Sequence, residues 1–151
     1  MNSLVCVDAS ILIKLVVEEE RSDCASALWD SWVDDEVEIV APTLFLYEVT
    51  ATLRKKVYRQ LLTLAEGREV FAAALAVEVT PMAPSGLHER AWELATHFNR
   101  PTAYDSHYLA LAEMLGCEFW TADQRLFNAV QDELSWVRWL GEYQPTVEAE
   151  D

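Results

Sequence analysis

The chain has 151 residues, 52% of them hydrophobic, and carries 26 acidic against 11 basic residues for a formal charge of −15. That length fits one domain with enough apolar side chain for a real core, and that charge excludes a general nucleic-acid binder working by bulk attraction, because phosphate repels it. The N-terminus has no basic region and no apolar run nears the roughly 18 residues of a membrane span, while Cys6, Cys24 and Cys117 form no zinc or redox pattern, so the chain reads as reduced and cytoplasmic.

Residues 3–7, Ser-Leu-Val-Cys-Val, form a short apolar run suited to a buried parallel strand. Ala9 to Val17 reads as a helix, and Ser22 is positioned to cap a second one running to about Val33. Glu38 to Pro42 is the second strand, and a long helix follows from Thr43 to about Gln60. Thr63 to Leu75 is a further helix, weakened by Gly67. Val77 to Met82 alternates like a strand. Ser85 then caps a helix whose apolar residues Leu87, Ala91, Leu94, Ala95 and Phe98 keep helical spacing. Ala103 to Leu115 is helical, with a stripe at Tyr104, Tyr108, Leu111, Ala112 and Leu115 and a stop at Gly116. Cys117 to Trp120, Asp123 to Gln131 and Trp136 to Leu140 complete the series as strand, helix and strand. Strands alternating with helices predict an α/β sandwich around a parallel sheet of about five strands. Residues 1–140 are expected to be the folded domain, and the acidic segment 141–151 a mobile tail.

Four acidic residues stand where these elements begin or break: Asp8, Glu48, Asp105 and Asp123. Asp8 and Asp123 follow predicted strands, where sites form in open parallel sheets. Asp8, Asp105 and Asp123 each have a plain alternative as helix caps. Glu48 resists that account. It lies mid-helix, every other residue from Ala41 to Leu53 is uncharged, and it shares a face with Leu44, Ala51 and Thr52. A carboxylate there needs a partner, a proton or a metal, and Lys55 is the ordinary candidate for a partner. Gathered together, four carboxylates repel unless a divalent cation or an arginine joins them. Such a cluster on Mg²⁺ or Mn²⁺ suits attack of water on a phosphodiester.

These residues and their surroundings resemble a PIN-domain nuclease of the kind found in VapC toxins of toxin–antitoxin pairs. The matching segments are Val7-Asp8-Ala9-Ser10, Glu48 in its helix, the run from Tyr104-Asp105-Ser106-His107-Tyr108 to Glu113, and Trp120-Thr121-Ala122-Asp123-Gln124-Arg125-Leu126. They span Asp8 to about Phe127. The resemblance implies a three-layer α/β/α fold and magnesium- or manganese-dependent endoribonuclease activity. It also implies homodimers and inhibition by a basic antitoxin. Carried over by position, Asp8, Glu48, Asp105 and Asp123 are the acidic metal-site residues, and Ser10 and Thr121 the small hydroxyl residues beside them.

Arg54, Lys55, Lys56 and Arg59 are four of the eleven basic residues, packed into six positions. They are candidates for RNA phosphate contacts, with Lys55 and Arg59 assigned to the Glu48 face; the alternative is a solvated helix end whose cations complement its dipole. Lys14 and Arg100 are further candidates to flank the site. The three histidines show no paired ligand spacing, and the tryptophans read as core or interface. A dehalogenase-like phosphatase would need an Asp where Ser10 stands, and a receiver domain would need a late lysine, yet none follows Lys56. Two rivals to the toxin reading remain: a catalytically weak partner-binding protein on the same fold, and a free-standing nuclease without an antitoxin.

Overall fold

The computed structural model describes residues 3–145. β1 (Leu4–Val7) is buried almost throughout and occupies the centre of the sheet, between β2 (Glu38–Pro42) and β4 (Glu118–Thr121). β3 (Thr80–Met82) and β5 (Val137–Trp139) form the edges, giving the order β3-β2-β1-β4-β5 with every pairing parallel. The near-continuous Leu-Val-Cys-Val and Ile-Val-Ala runs are the composition of strands covered on both faces.

Seven helices make the crossovers: α1 (Ala9–Val16), α2 (Ser22–Asp34), α3 (Phe45–Tyr58), α4 (Leu64–Ala76), α5 (Leu87–His97), α6 (Tyr104–Leu115) and α7 (Gln124–Val130). The chain steps from β1 outward to β3, then returns across the sheet to β4 and β5. Right-handed crossovers therefore put α1 to α4 on one face and α5 to α7 on the other, the expected α/β/α sandwich. Alternation along β4 follows: Phe119 stacks beside Tyr108 of α6, while Trp120 meets Trp32 of α2. The direction of stepping reverses between β1 and β4, so the cleft outside their carboxyl ends is the switch point.

Several local expectations change. Ser22 does not cap α2 by its side chain; its buried hydroxyl donates to the Val17 carbonyl and accepts from the Glu19 amide, and Arg21 takes the cap position at φ 66°. Gly86, at φ 88°, replaces Ser85 as the cap of α5. The third strand begins at Thr80, because Val77 closes α4 and Pro81 suits an edge strand with one neighbour. Thr63 and Glu66 form a reciprocal capping box on α4. Gly67 is there for contact: a Cβ would stand 2.4 Å from Val57 Cγ2, so its absence lets α3 and α4 close together. Trp29 and Trp32 are core, but Trp92 is 72% exposed. Gly141 lies in a 3-10 turn, Leu140–Glu142, and Tyr143 packs edge-on against Trp120 at 5.9 Å. The rest of the expected tail, residues 146–151, lies outside the described residues.

Candidate active site

The switch point is a cleft of about 350 Å³ whose lining includes Asp8, Ser10, Glu48, Thr52, Asp105 and Asp123, with Lys14, Glu19 and Lys56. The four carboxylates singled out by sequence thus meet in one place, delivered by β1, α3, α6 and the end of β4. Ser10 lines the cleft too, and Thr121 stands just behind it, fully buried. Lys56 reaches the cleft; Lys55, Arg59 and Arg54 do not line it. On α3 the cleft face runs Glu48, Thr52, Lys56, four residues apart each time, and Lys55 falls beside it.

Asp8 leaves β1 and is held on both oxygens. Its Oδ1 accepts from the Ser10 amide at 3.1 Å and from the Ser10 hydroxyl, and its Oδ2 accepts from Thr121 Oγ1 at 2.5 Å. The Ser10 hydroxyl accepts in turn from the Ala122 amide, and Thr121 Oγ1 from the Asp123 amide, which ties the two strand ends together. Burial pushes the Asp8 carboxyl up from 3.8 to about 7; the two hydroxyls resist that rise, and the charges of Asp105 and Glu48 add to it.

Among the described residues no lysine or arginine forms an ion pair with Glu48. Its Oε1 is buried without a hydrogen-bond partner, so the lysine pairing expected from sequence does not occur. Its carboxyl is raised, first by burial and then by Asp105. The Tyr108 hydroxyl adjoins Glu48 and partly offsets that rise, yet it too lacks a partner at normal hydrogen-bonding geometry. Ser106 Oγ is the third buried side-chain atom in that condition among the described residues. Burial pushes the Tyr108 phenol far above its ordinary range.

Asp105 sits in the first turn of α6 and makes no cap; Ala103 holds that position. Arg100 Nη2 approaches its Oδ2 at 3.7 Å, a loose contact. Burial and the charge of Asp123 raise the Asp105 carboxyl, and Arg100 counters them. Asp123 does cap α7: Oδ1 accepts from the Arg125 and Leu126 amides at 2.9 and 3.2 Å. The capping account therefore holds for Asp8 and Asp123 and fails for Asp105.

Tyr108, which adjoins Glu48, and Glu19, which lines the cleft, escaped the sequence reading as site residues. Tyr108 sits three positions after Asp105 and read as part of an apolar stripe. Glu19 belongs to a loop where no periodicity applies. The donor set is all carboxylate and hydroxyl oxygen, which suits a hard cation such as Mg²⁺ or Mn²⁺. Among the described residues, no three His, Cys, Asp or Glu side chains already form a group able to enclose a metal ion. Mutual repulsion is a physical reason for carboxylates to stand apart, and the unpartnered Glu48 oxygen is the feature a cation would complete.

Comparison with known proteins agrees with this geometry. Residues 5–133 match the PIN domain family. Over 90 residues the chain is 38% identical to VapC ribonuclease Mb0985 of Mycobacterium bovis, covering 60% of this chain and 68% of that protein. The crystal structure of PAE2754 from Pyrobaculum aerophilum superposes with a TM-score of 0.60 at 25% identity, covering 85% of this chain and 87% of that one. Mycobacterium tuberculosis VapC20, described as a sarcin-ricin loop cleaving toxin, gives 0.57 at 20% identity, covering 78% and 87%, a likeness of fold alone. The family match runs from β1 past α7 and contains all four acidic positions, so this chain belongs to the PIN domain family, as a VapC-like member.

Proposed function

We propose that this protein is a ribonuclease that hydrolyses RNA phosphodiesters with Mg²⁺ or Mn²⁺, as the toxin of a toxin–antitoxin pair. The observation that carries the reading is Glu48: a half-buried carboxylate whose buried Oε1 has no hydrogen-bond partner, facing a cleft that also holds Asp8, Asp105 and Asp123. Ribonuclease names on the relatives support RNA as the substrate.

Asp8, Glu48, Asp105 and Asp123 would hold the cation, with Ser10 and Thr121 fixing Asp8. A divalent cation in such a site acidifies water and neutralises charge on the scissile phosphate. The chain's own residues do the rest. Hydroxyls on both oxygens of Asp8 keep its carboxylate in one orientation before substrate arrives. Asp123 spends Oδ1 on the α7 amides and keeps Oδ2 to orient the attacking water. Water adds to phosphorus as the bond to the leaving oxygen breaks; a cleft carboxylate takes the water's proton, and the leaving oxygen takes one from solvent to depart as a hydroxyl. Arg54, Lys55 and Arg59 stand outside the cleft, in reach of more distant phosphates of a long strand.

The proposed partner is a basic antitoxin. Four carboxylates on a chain of charge −15 attract cationic peptide, and a guanidinium placed among Asp8, Glu48 and Asp105 pairs bidentately where the cation would sit. A homodimer has support in the exposed apolar side chains Leu46, Tyr47, Tyr58, Leu61 and Leu64 along α3 and the start of α4. Three free cysteines accord with a reduced cytoplasmic setting, and no helix among the described residues is long and apolar enough to cross a membrane.

Cleavage of a labelled single-stranded RNA tests the reading. Mg²⁺ or Mn²⁺ should switch it on and EDTA should abolish it. Cleavage that persists in EDTA would sink the mechanism.

A further inference from the structure

The cleft with four carboxylates also contains two cations. Lys14, in the last turn of α1, and Lys56, in the last turn of α3, both line it. Their ammonium groups converge on one carboxylate. Lys14 Nζ stands 3.3 Å from Glu19 Oε1 and Lys56 Nζ 3.1 Å from Glu19 Oε2. Lys14 Nζ also donates to the Glu20 carbonyl at 2.7 Å. The two lysine side chains are 17% and 21% exposed, so neither is a freely solvated surface residue.

Glu19 itself is set in place. It belongs to the loop between α1 and α2, where its amide donates to Ser22 Oγ at 2.9 Å, and the buried Ser22 hydroxyl donates to the Val17 carbonyl at 2.9 Å. One oxygen per ammonium is also how two lysines hold the two non-bridging oxygens of a phosphodiester. A chain of charge −15 needs such a local cationic point if RNA is to approach its carboxylates. Stability alone gives no reason for both lysines to line the same cleft, since paired charges near a surface add little to it.

We propose that Lys14 and Lys56 form a phosphate subsite for the RNA strand, and that Glu19 occupies it in the free protein as an internal substitute for phosphate. Substrate enters by displacing Glu19, so Glu19 competes with RNA and sets its affinity. The proposal rests on the ribonuclease reading for the identity of its ligand. Lys14 and Lys56 are positioning residues here, since they hold the strand and leave the reacting atoms to the carboxylates.

The test measures anisotropy of a labelled single-stranded RNA in EDTA at low salt, and KM and kcat for the same RNA with Mn²⁺. Glu19→Gln should tighten binding and lower KM by roughly three- to tenfold, within the combined range of the two weak ion pairs Glu19 makes, with kcat unchanged. Glu20→Gln removes the same charge one residue away, where the side chain pairs with Arg21 and does not line the cleft, and should leave both within about twofold. Lys14→Ala with Lys56→Ala should weaken binding and flatten the slope of log affinity on log salt by about 0.7, the single-strand value for one phosphate neutralised. Adding Glu19→Gln to that pair should then bring no gain.

Equal effects of Glu19→Gln and Glu20→Gln, or a full Glu19→Gln gain without the lysines, would overturn the subsite. Should the lysine variants fail to fold, the two glutamate variants still decide. The expected order of binding in a protein that cleaves no RNA would keep the subsite and reject the nuclease. Metal-dependent cleavage without that order would do the reverse.

Discussion

On the β1–β4 wall of the cleft both oxygens of Asp8 are held by hydroxyls that are themselves hydrogen-bonded, whereas on the α3–α6 wall Glu48 Oε1 is buried without a partner, as is the Tyr108 hydroxyl behind it. The first wall accounts for itself. Asp8 and Asp123 cap helices, and their network would be worth having in a protein that catalysed nothing. The second wall does not, because native proteins leave few buried polar groups unpaired. Function is therefore read more securely from the incomplete wall than from the complete one. The complete wall supplies order, and the incomplete one leaves the oxygen that a bound cation would pair.

Activity should break along this line most sharply. Glu48→Gln and Asp105→Asn should each lower the rate of RNA cleavage by more than about a hundredfold while circular dichroism and melting stay native, since each removes a charge from a repelling set. Asp123→Asn should be milder, about tenfold, because the amide oxygen can still cap α7 or orient a water. Unfolding of Glu48→Gln or Asp105→Asn would return those residues to a structural role.

Acidity gives the next largest contrast. In the folded protein Asp8 titrates at about 7 against 3.8 ordinarily, so the native state binds more protons than the unfolded chain between those values. The stability this contributes is fully present below about pH 4 and is lost as pH rises through 7. Glu48 and Asp105 act in the same direction. In EDTA the melting temperature of wild type should therefore fall toward neutral pH relative to Asp8→Asn. Mn²⁺, which favours the ionised carboxylates, should reverse the fall, adding about 2.7 kcal/mol at a hundredfold excess over its dissociation constant. Melting curves across pH with and without Mn²⁺ check both statements, and identical profiles for wild type and Asp8→Asn would refute the assignment.

The smallest effects compare the walls in stability alone. Thr121→Val leaves one Asp8 oxygen without its hydroxyl and should lower metal-free stability by about 1–3 kcal/mol. Glu48→Gln should leave it unchanged or raise it. Denaturant unfolding of the two variants measures the difference, and a larger loss at Glu48 would invert the roles given to the walls.

How much of this was legible in the sequence differs by element. The five strands and seven helices were, because apolar runs and helical spacing record burial directly. Strand β3 was overextended, since residues 77–79 alternate like a strand while Val77 closes α4 and the next two residues are irregular chain. The caps of α2 and α5 were misplaced because Arg21 and Gly86 take left-handed backbone, which side-chain preference does not reveal. The four carboxylates stood out by position and by the apolar surroundings of Glu48. Their electrostatic setting did not, because the unpartnered Tyr108 hydroxyl comes beside Glu48 only once the starts of α3 and α6 meet at the carboxyl end of the sheet. The cationic face was displaced by one residue: Lys56, four after Thr52, turns into the cleft, and Lys55 does not. Glu19 is a loop residue within a run of three glutamates, and nothing in its local pattern marks which of the three faces inward.

Mn²⁺ binding measured by titration calorimetry at neutral pH, on wild type, Glu48→Gln and Thr121→Val, tests the central claim most directly. Wild type should bind with micromolar to millimolar affinity and release protons as it does so, because Asp8 and its neighbours must ionise. Glu48→Gln should lose most of that affinity while keeping the wild-type melting temperature, and Thr121→Val should bind more weakly in step with its lost stability. Equal Mn²⁺ affinity for wild type and Glu48→Gln, or no binding to either, would contradict the assignment of the α3–α6 wall as the incomplete half of a metal site.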